Sequence, residues 1–298
     1  MKIGIDLGGS HIGIGVVDLK GKIIEKKETD LNNIESNNVE KFICKYIIDV
    51  LNEFNNKYKI ESIGIASPGT PKDGKITTIV NLGIKELDIV NVIQENFRIP
   101  VTLKNDAKCS AIAEKKYGNL KEYKDCVFLC LGTGIGGAVF VNDKELGFNR
   151  NPGIEIGHMI IEKNGIECKC GKKGCFEIYC SIKRLKEKLI ETMDLPKNIE
   201  SKDLLNILNE RKEETKVKSI LEEYTENLII GLSNIIDIFE PQAICFGGSF
   251  VYFEQILFKM LLEKYYEKKY MFNKENIPEL KLAVLGNDAG IIGASIIA

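Results

Sequence analysis

Residues 2–18 read Lys-Ile-Gly-Ile-Asp-Leu-Gly-Gly-Ser-His-Ile-Gly-Ile-Gly-Val-Val-Asp. The alternation of Ile12, Ile14 and Val16 is typical of a half-buried strand, and the glycines before it mark a turn. We therefore predict two strands joined by a glycine-rich turn. A third strand is expected at 23–27, after the turn at Gly21.

The same pattern returns further along the chain at one constant offset. Asp6-Leu7-Gly8-Gly9-Ser10 corresponds to Cys130-Leu131-Gly132-Thr133-Gly134, and each is followed by a strand that ends in Asp18 or Asn142. The whole run Gly132–Gly137 is predicted as a turn. Two such units predict two lobes of similar topology, each offering a glycine turn to a shared cleft.

A third glycine turn, Gly247-Gly248-Ser249, follows an apolar strand predicted at 243–246. Glycine lets backbone N–H groups approach a phosphate closely, and a carboxylate beside such a turn, such as Asp6, can hold Mg²⁺. Each turn alone is also what a β-hairpin requires, but three together favour a split nucleotide site. They match neither a P-loop, which ends in Gly-Lys-Ser/Thr, nor a Rossmann turn, which opens a helix.

Strands and helices alternate over the rest of the chain, which predicts an α/β protein. The predicted helices are 38–58, 89–97, 107–117, 182–191, 203–210, 217–239, 253–266 and 288–295. The further predicted strands are 60–66, 101–103, 126–131 and 281–285. We predict a small N-terminal lobe, 1–110, completed by the C-terminal helix 288–298, and a large lobe, 111–287, that carries a zinc loop at 158–175.

Asn105 and Asp106 follow a short strand and precede a helix. A carboxylate there can accept the proton of a sugar hydroxyl as its oxygen attacks phosphorus, and the neighbouring amide can hold a second hydroxyl. The structural alternative is an aspartate N-cap, a common use of this residue at a helix start. The residues alone leave both interpretations open.

One histidine and three cysteines lie in a short span: His158, Cys168, Cys170 and Cys175. Their types and compactness predict a closed structural zinc site, while reduced surface thiols are the alternative. Glu155 and Glu177 flank this span as either solvated carboxylates or, if they converge, acceptors for the hydroxyls of a polyol. His158 could then bind zinc through one ring nitrogen and donate to the substrate through the other.

The composition excludes some classes of function. The chain has 298 residues, 44% of them hydrophobic, and a formal net charge of −2, so it lacks the basic footprint expected for nucleic-acid or anionic-membrane binding. No signal-peptide core and no apolar run of bilayer length occur. Nine cysteines without a signal sequence favour metal binding over disulfides. We expect a cytoplasmic protein.

The motifs now assemble into a known family. They are Asp6-Leu7-Gly8-Gly9-Ser10, Asn105-Asp106, Gly132-Thr133-Gly134-Ile135-Gly136-Gly137, Glu155-x-Gly157-His158, Cys168-x-Cys170-Gly171-x2-Gly174-Cys175-x-Glu177 and Gly286-Asn287-Asp288-Ala289-Gly290. This set resembles the ROK family (repressor, open reading frame, kinase) over essentially the whole chain. The resemblance implies an α/β, actin-like fold of the hexokinase and ribonuclease H-like type, with two lobes, a nucleotide cleft and a zinc-bound loop.

The resemblance also implies ATP, Mg²⁺ and structural Zn²⁺, with transfer of the γ-phosphoryl group to a hexose, usually at O6, in carbohydrate metabolism and glycolysis. Asp106 would be the general base, and Asp6 would act near Mg²⁺. The implied sugar-binding residues are Gly69, Asn105, Asp106, Glu155, His158 and Glu177. The implied nucleotide-binding residues are Asp6, Gly8, Gly9, Ser10, His11, Gly132, Thr133, Gly134, Gly136, Gly137, Gly247 and Gly248. Members are commonly homodimers or homotetramers.

Departures from the family pattern leave the sugar open. Ser10 stands where threonine is usual, Ala138 where glycine is frequent, and 70–72 reads Thr-Pro-Lys after the Pro-Gly loop instead of the usual Val-Asp. The segment 81–84, Asn-Leu-Gly-Ile, leads to no tryptophan. The first expectation is a glucokinase-like enzyme, and the alternative is a kinase for N-acetylmannosamine or fructose. A non-catalytic sugar-sensing regulator is expected less, because the first strand begins at residue 2 and leaves no room for a helix-turn-helix.

Overall fold

The computed structural model describes residues 1–32, 34, 38–79, 82–147, 154–267 and 277–298. The chain divides into two compact units, each with its own sheet and core. Unit 1 consists of Met1–Lys121, Gly147–Gly153 and Val284–Ala298, and unit 2 of Glu122–Leu146 and Ile154–Ala283. The lobe boundaries expected from the sequence stay a prediction. Within the described ranges, no helix has both the length and the apolar character that crossing a bilayer demands.

Unit 1 is built on a five-stranded sheet of order β3-β2-β1-β4-β7. Its elements are β1 (Lys2–Leu7), β2 (His11–Val17), β3 (Ile23–Asp30), α1 (Val39–Lys57), β4 (Ser62–Ser67), β5 (Ile76–Ile79), β6 (Ile84–Leu87), α2 (Ile89–Asn96), β7 (Val101–Asn105), α3 (Asp106–Tyr117) and α9 (Ala289–Ile297). β1, β2 and β3 are antiparallel, whereas β1, β4 and β7 are parallel. The buried side chains of α1, spaced three and four apart, join the core of this sheet.

Helix α9 packs on β1, β4 and α3 with almost no side chains between the backbones. A Cβ on Gly4 would lie 1.9 Å from the carbonyl oxygen of Ile291, and one on Gly64 would lie 1.8 Å from that of Ala294. Likewise, a Cβ on Gly293 would meet the carbonyl oxygen of Cys109 at 1.9 Å. Gly4 and Gly64 are therefore required for the close approach of α9 to the sheet, and Gly293 for its close approach to α3.

Glu114 in α3 is a fully buried carboxylate that accepts backbone hydrogen bonds. Its Oε1 accepts from the N–H groups of Val284 and Leu285, each at 2.8 Å, and its Oε2 accepts from that of Asn119 at 3.0 Å. The chain leaves unit 1 after Lys121 and returns at Val284. One side chain thus holds the backbone close to the first and the last of the connections to unit 2.

Unit 2 repeats the sheet plan of unit 1, with order β10-β9-β8-β11-β12. Its elements are β8 (Cys126–Leu131), β9 (Ile135–Val141), β10 (Lys144–Glu145), α4 (Phe176–Cys180), α5 (Ile182–Thr192), α6 (Ser201–Arg211), α7 (Thr215–Phe239), β11 (Ala243–Gly247), α8 (Lys259–Glu267) and β12 (Glu279–Leu282). Helical turns at Ile156–His158, Gly248–Phe253 and Glu254–Phe258 complete the described elements of this unit. β8 and β9 are antiparallel, and β8, β11 and β12 are parallel. The predicted internal duplication is confirmed.

The paired register reveals a difference between the two hairpins. Leu7 pairs with Ile12 in the first, but Leu131 pairs with Ile135 in the second, so the second turn is one residue shorter. β9 also begins at Ile135, which makes the predicted turn 132–137 too long. Gly137 lies inside β9, and its position requires glycine because a Cβ there would come 2.1 Å from the carbonyl oxygen of Phe128. Here the glycine permits close backbone approach within the sheet.

One other sequence prediction is corrected, and one hairpin was missed. The last strand runs over Glu279–Leu282 and not 281–285, because its partner in the parallel ladder, β11, pairs with those four residues. The hairpin of β5 and β6 was not predicted. Asn81, which begins the loop 81–84, lies outside the described residues.

Candidate functional site

In unit 1, the polar residues singled out from the sequence lie at the carboxyl ends of parallel strands. Asp6 of β1 is paired with Ala66 of β4, and Ser67 at the end of β4 is paired with Asn105 at the end of β7. The carboxyl edge of an α/β sheet is where such folds bind ligands. The fold therefore brings Asp6, the loop after β4 and the Asn105–Asp106 pair to one edge.

Asn105, and not Asp106, caps helix α3. The Oδ1 of Asn105 accepts from the N–H of Lys108 at 3.2 Å, and its Nδ2 donates to the carbonyl oxygen of Gly69 at 3.1 Å. Gly69 has a φ of +75°, which a glycine adopts without strain. The amide of Asn105 thus joins two of the predicted sugar residues. The N-cap alternative for Asp106 is wrong.

Asp106 is the first residue of α3, and its Oδ1 accepts from the N–H of Ala107 at 2.7 Å. Burial raises the pKa of this carboxyl above its usual range, although hydrogen bonds from the Ala107 N–H and from Asn105 oppose the shift. A carboxylate with a raised pKa is a stronger base than a solvated one. The position is suited to proton abstraction.

Among the candidate residues of unit 1, Asp6 has the pKa that is raised furthest above its usual range. Burial, then the negative charge of Asp106, then that of Glu28 raise the pKa of Asp6 to about 7. Gly290 of α9 lies against this carboxylate, since a Cβ there would come 2.3 Å from its Oδ2. Carboxylates that repel one another in this way are stabilised by a bound cation, and oxygen donors suit Mg²⁺.

The first glycine turn, Gly8-Gly9-Ser10, is closed by a hydrogen bond from the N–H of Gly8 to the carbonyl oxygen of His11 at 2.8 Å. The ring of His11 covers Gly8, because a Cβ there would lie 2.8 Å from the Cε1 of His11. The carbonyl oxygen of Ser10 accepts from the N–H of Leu31 at 2.7 Å. The turn is therefore held at both ends.

The second and third glycine turns lie side by side in unit 2. Gly247 at the end of β11 pairs with Cys130 at the end of β8. Gly248 has a φ of +68°, and a Cβ on it would come 2.7 Å from the carbonyl oxygen of Leu131. The second turn, with Gly132, Thr133 and Gly134, follows directly after Leu131. Adjacent glycine turns at the ends of parallel strands form a concave backbone surface suited to phosphates.

Glu177, in the first turn of α4, contacts the second glycine turn. Its Oε2 accepts from the N–H of Ile135 at 2.9 Å, and a Cβ on Gly134 would lie 2.3 Å from the same oxygen. The other end of the turn is held by the N–H of Lys183, which donates to the carbonyl oxygen of Gly132 at 3.1 Å. Glu177, which the sequence predicts to bind the sugar, therefore also stabilises the second glycine turn.

The segment Glu155–His158 packs against Ile135, the first residue of β9. A Cβ on Gly157 would come 2.3 Å from the carbonyl oxygen of Ile135, so glycine is required there. Glu155 is exposed, and no side chain within the described ranges forms an ion pair with it. Gly157, which lies between Glu155 and His158 in the chain, and Glu177 thus both contact Ile135.

The predicted zinc ligands converge. Ligand atoms of His158, Cys168, Cys170 and Cys175 all lie within 4.8 Å of one another. The Sγ atoms of Cys170 and Cys175 are 3.6 Å apart, and the Sγ of Cys168 is 3.7 Å from the Nδ1 of His158. Tetrahedral zinc with ordinary bond lengths requires about 3.8 Å between two sulfurs and about 3.6 Å between sulfur and nitrogen. The donor set fits zinc in both type and spacing.

The local backbone explains how so short a span can close around a metal. Gly171 and Gly174 have φ values of +87° and +76° and form the tight turns between ligands. Burial is the main cause that raises the pKa of Cys175 to about 12, and the neighbouring thiols add to it. Such a thiol is expected to ionise when a metal binds it. Zinc would hold the arms of the loop that carry Glu155, His158 and Glu177.

The ROK family model matches residues 2–298. The chain belongs to the ROK family. This confirms the resemblance inferred from the motifs. Similar proteins include the xylose repressor of Bacillus subtilis (strain 168), which is 31% identical over 98% of this chain and 75% of the repressor. They also include the glucokinase of Halalkalibacterium halodurans, which is 27% identical over 98% of this chain and 92% of the glucokinase.

Among solved structures, the ROK hexokinase from Thermus thermophilus superposes with a TM-score of 0.82 at 27% identity, covering 99% of this chain and 97% of that one. The predicted α/β, actin-like fold is thereby confirmed. ROK relatives comprise both sugar kinases and repressors. Membership alone therefore does not decide between catalysis and sensing.

Two contributors to the site of this ROK protein were not predicted. Glu28 of β3 faces Gly13, where a Cβ would lie 3.6 Å from its Oε1, and it adds negative charge at Asp6. Two features of the sequence indicate the role of Glu28. The side chains of β3 alternate between the two faces of the sheet, and the residue paired with Glu28 is a glycine, Gly13. Ile135 contributes its backbone N–H, which every residue except proline has, so no sequence signal marks it.

Proposed function

We propose that this ROK protein is a cytoplasmic, ATP-dependent hexose kinase that phosphorylates O6, with glucose as its first substrate. The observation that carries the proposal is the pairing of Asp106 with Asp6 in unit 1. A sugar sensor needs groups that hold hydroxyls, but it needs neither a half-buried base of raised pKa nor a second half-buried carboxylate repelled by the first. A base for the attacking hydroxyl and a carboxylate that can hold Mg²⁺ are what enzymes of phosphoryl transfer use.

Asp106 accepts the proton of the attacking hydroxyl in this proposal. Its place in the first turn of α3 fixes the carboxylate through the Ala107 N–H, and Asn105 is fixed beside it by Gly69 and Lys108. An amide held in this way can orient a neighbouring hydroxyl. Holding the sugar oxygen in line with the phosphorus supplies much of the catalysis.

Asp6, with Glu28 nearby, is the group that would hold Mg²⁺. The ion would neutralise charge on the phosphates during transfer. The residues fit this use, since the mutual repulsion that raises the pKa of Asp6 is relieved by a cation. The first turn, Gly8, Gly9, Ser10 and His11, and in unit 2 the turns at Gly132–Gly137 and Gly247–Gly248 would supply N–H groups to the nucleotide.

The hexose hydroxyls would be accepted by Glu155 and Glu177 and contacted by His158. Since the Nδ1 of His158 faces the sulfur cluster, its Nε2 is the nitrogen left for the substrate. Structural zinc would fix that ring. Carboxylate acceptors of this kind suit a neutral polyol but do not by themselves select one hexose.

The experiment is a coupled assay of ADP release over glucose, fructose and N-acetylmannosamine, with ATP and Mg²⁺. Turnover of glucose above that of the others supports the proposal as stated. A preference for N-acetylmannosamine or fructose keeps the kinase and replaces the substrate. The absence of turnover with every sugar would reject the kinase.

The second candidate is a sugar-sensing regulator, which the 31% identity to the xylose repressor favours. It predicts sugar binding without ADP release. Retention of the protein on a specific DNA at physiological salt, weakened by a sugar, would establish it.

A further inference from the structure

The carboxylate of Glu177 has two oxygens with different surroundings. Oε2 accepts from the N–H of Ile135, the first residue after the second glycine turn. For Oε1, the part of the chain that the structure describes offers no hydrogen-bond donor. One oxygen is therefore committed to the turn, and the other is available to a ligand.

A carboxylate is a rigid planar group, so its two oxygens cannot shift independently. A hydroxyl that binds Oε1 restrains Oε2, and through it the N–H of Ile135 and the preceding Gly134, which lies directly against Oε2. Hydrogen bonds to an ionised acceptor are about twice as strong as those between neutral groups. Restraint on one side is thus passed to the other side.

No second side chain holds this end of the turn within the described ranges. The opposite end is fixed by the N–H of Lys183 on Gly132, and a hydrogen bond from the N–H of Gly132 to the carbonyl oxygen of Gly134 spans the turn at 2.9 Å. Besides the pairing of β8 with β9, the conformation of the turn therefore depends on where Glu177 holds Ile135.

We propose that Glu177 is a positioning residue that couples the two ligands, so that a hexose on Oε1 sets the second glycine turn for the phosphates and each ligand raises the affinity for the other. The inference rests on the proposed function and deepens it, because it assigns to a sugar ligand a second role at the nucleotide site. By linkage, the two affinities change by the same factor.

The test compares two glycine-to-alanine variants of the same turn. A Cβ on Gly134 would collide with Oε2 of Glu177 at 2.3 Å, whereas a Cβ on Gly132 meets no atom within 4 Å. The dissociation constant of Mg²⁺·ADP is measured with and without saturating glucose, and that of glucose is measured alone. Glucose should tighten ADP binding about tenfold in the wild type.

Gly134→Ala should abolish this coupling and weaken glucose binding about tenfold, because it displaces the carboxylate. Gly132→Ala should weaken ADP binding yet keep both the coupling and the glucose affinity. Glu177→Gln retains an oxygen acceptor for Ile135, so it should weaken glucose binding and keep the coupling. Should Gly134→Ala not fold, Glu177→Ala, which adds no volume, should abolish the coupling instead.

Hydrogen exchange of the Ile135 amide gives a readout that is independent of turnover. Exchange should be faster in Gly134→Ala and Glu177→Ala than in the wild type, and unchanged in Gly132→Ala and Glu177→Gln. Absence of coupling in the wild type, or equal coupling in the wild type and Gly134→Ala, overturns the inference. Coupling that follows this pattern without any sugar turnover rejects the kinase but supports the role of Glu177.

Discussion

Individual carboxylates in unit 1 are held in surroundings that oppose their ionisation. Asp6 and Asp106 both have raised pKa values, with burial as the main cause in each case. A group that stabilised only the fold would be better placed in contact with a lysine, as Glu53 is with Lys27 and Lys57. Surroundings that raise the pKa of a carboxylate in this way are typical of functional residues.

Replacing the proposed base tests the chemistry directly. Asp106→Asn keeps the shape of the side chain but cannot accept the proton, so kcat should fall by about 10²–10⁴-fold while the dissociation constant for glucose changes little. Turnover and calorimetric sugar binding measure the two effects. Asp203→Asn, an exposed aspartate in α6, is the control and should behave like the wild type. Near-normal kcat in Asp106→Asn would contradict the assignment.

Asp6 should make stability depend on pH in a predictable direction. Its pKa is about 7 in the folded protein and 3.8 as the reference for the unfolded chain, so the folded state holds this proton more tightly. The contribution of Asp6 is therefore increasingly unfavourable as pH rises from about 4 to about 7. Asp6→Asn removes this unfavourable contribution and should be more stable than the wild type at about pH 8, by on the order of 4 kcal/mol.

Urea unfolding of both proteins at about pH 4.5 and pH 8 measures this difference. The difference in unfolding free energy between variant and wild type should shrink to about 1 kcal/mol at the lower pH, because Asp6 is then neutral in the folded protein but still largely ionised in the unfolded chain. Mg²⁺ with ADP should narrow it at the higher pH by stabilising the wild type alone. A variant less stable than the wild type at pH 8 would contradict the repulsion described for Asp6.

At the scale of elements, the zinc loop and the glycine turns act as one assembly in unit 2. α4 begins directly after Cys175, and its first turn carries Glu177, which holds the start of β9. One short helix therefore connects the cluster of possible metal ligands to the glycine turn.

Loss of one zinc ligand tests this connection. Cys170→Ser should bind no zinc, lower the stability of unit 2 and raise the KM for the hexose roughly tenfold, because the arms that carry Glu155 and Glu177 lose their common anchor. Metal content, thermal unfolding and KM values measure these effects. Cys44→Ser in α1, distant in sequence and outside the cluster, should retain the zinc. A zinc-free Cys170→Ser protein with unchanged sugar affinity would contradict the role given to the loop.

Elements with strong local periodicity were predictable, and those defined by partners were not. α1 and α7 bury residues three and four apart, and their predicted ranges agree with the structure. β12 was misplaced because its bounds depend on pairing with β11. The glycines of β9 were taken for a turn, since sequence alone cannot show that the backbone of Phe128 lies against Gly137. The convergence of His158 with Cys168, Cys170 and Cys175 was predictable because compact spacing is itself the signal.

At the scale of the whole molecule, one fold plan is used twice. The strand orders β3-β2-β1-β4-β7 and β10-β9-β8-β11-β12 match position by position. Each unit places its glycine turn after the central strand of its sheet. The duplicated hairpin was visible in the sequence, whereas the shorter second turn and its support by Glu177 follow from pairing over long distances.

The close packing of α9 on the sheet should not tolerate the addition of even a methyl group at the contacting glycines. Gly64→Ala places a Cβ 1.8 Å from the Ala294 carbonyl oxygen, so it should lower the free energy of unfolding by roughly 2 kcal/mol or more. Gly147→Ala, also in unit 1, meets no atom within 4 Å and should change it by less than about 0.5 kcal/mol. Urea unfolding measures both, and equal stabilities would contradict the described packing.

The seat of α9 on β1 and β4 also sets the order in which the chain can fold during its synthesis. The strands of unit 1 leave the ribosome first, but the helix that covers them is made last, after all of unit 2. At roughly 5–20 residues per second, Val284 follows Lys121 by about 8–30 s. During that interval unit 2 can fold on the nascent chain. The face of β1 and β4 that contains Gly4 and Gly64 stays uncovered until α9 is made, and it is accessible to chaperones.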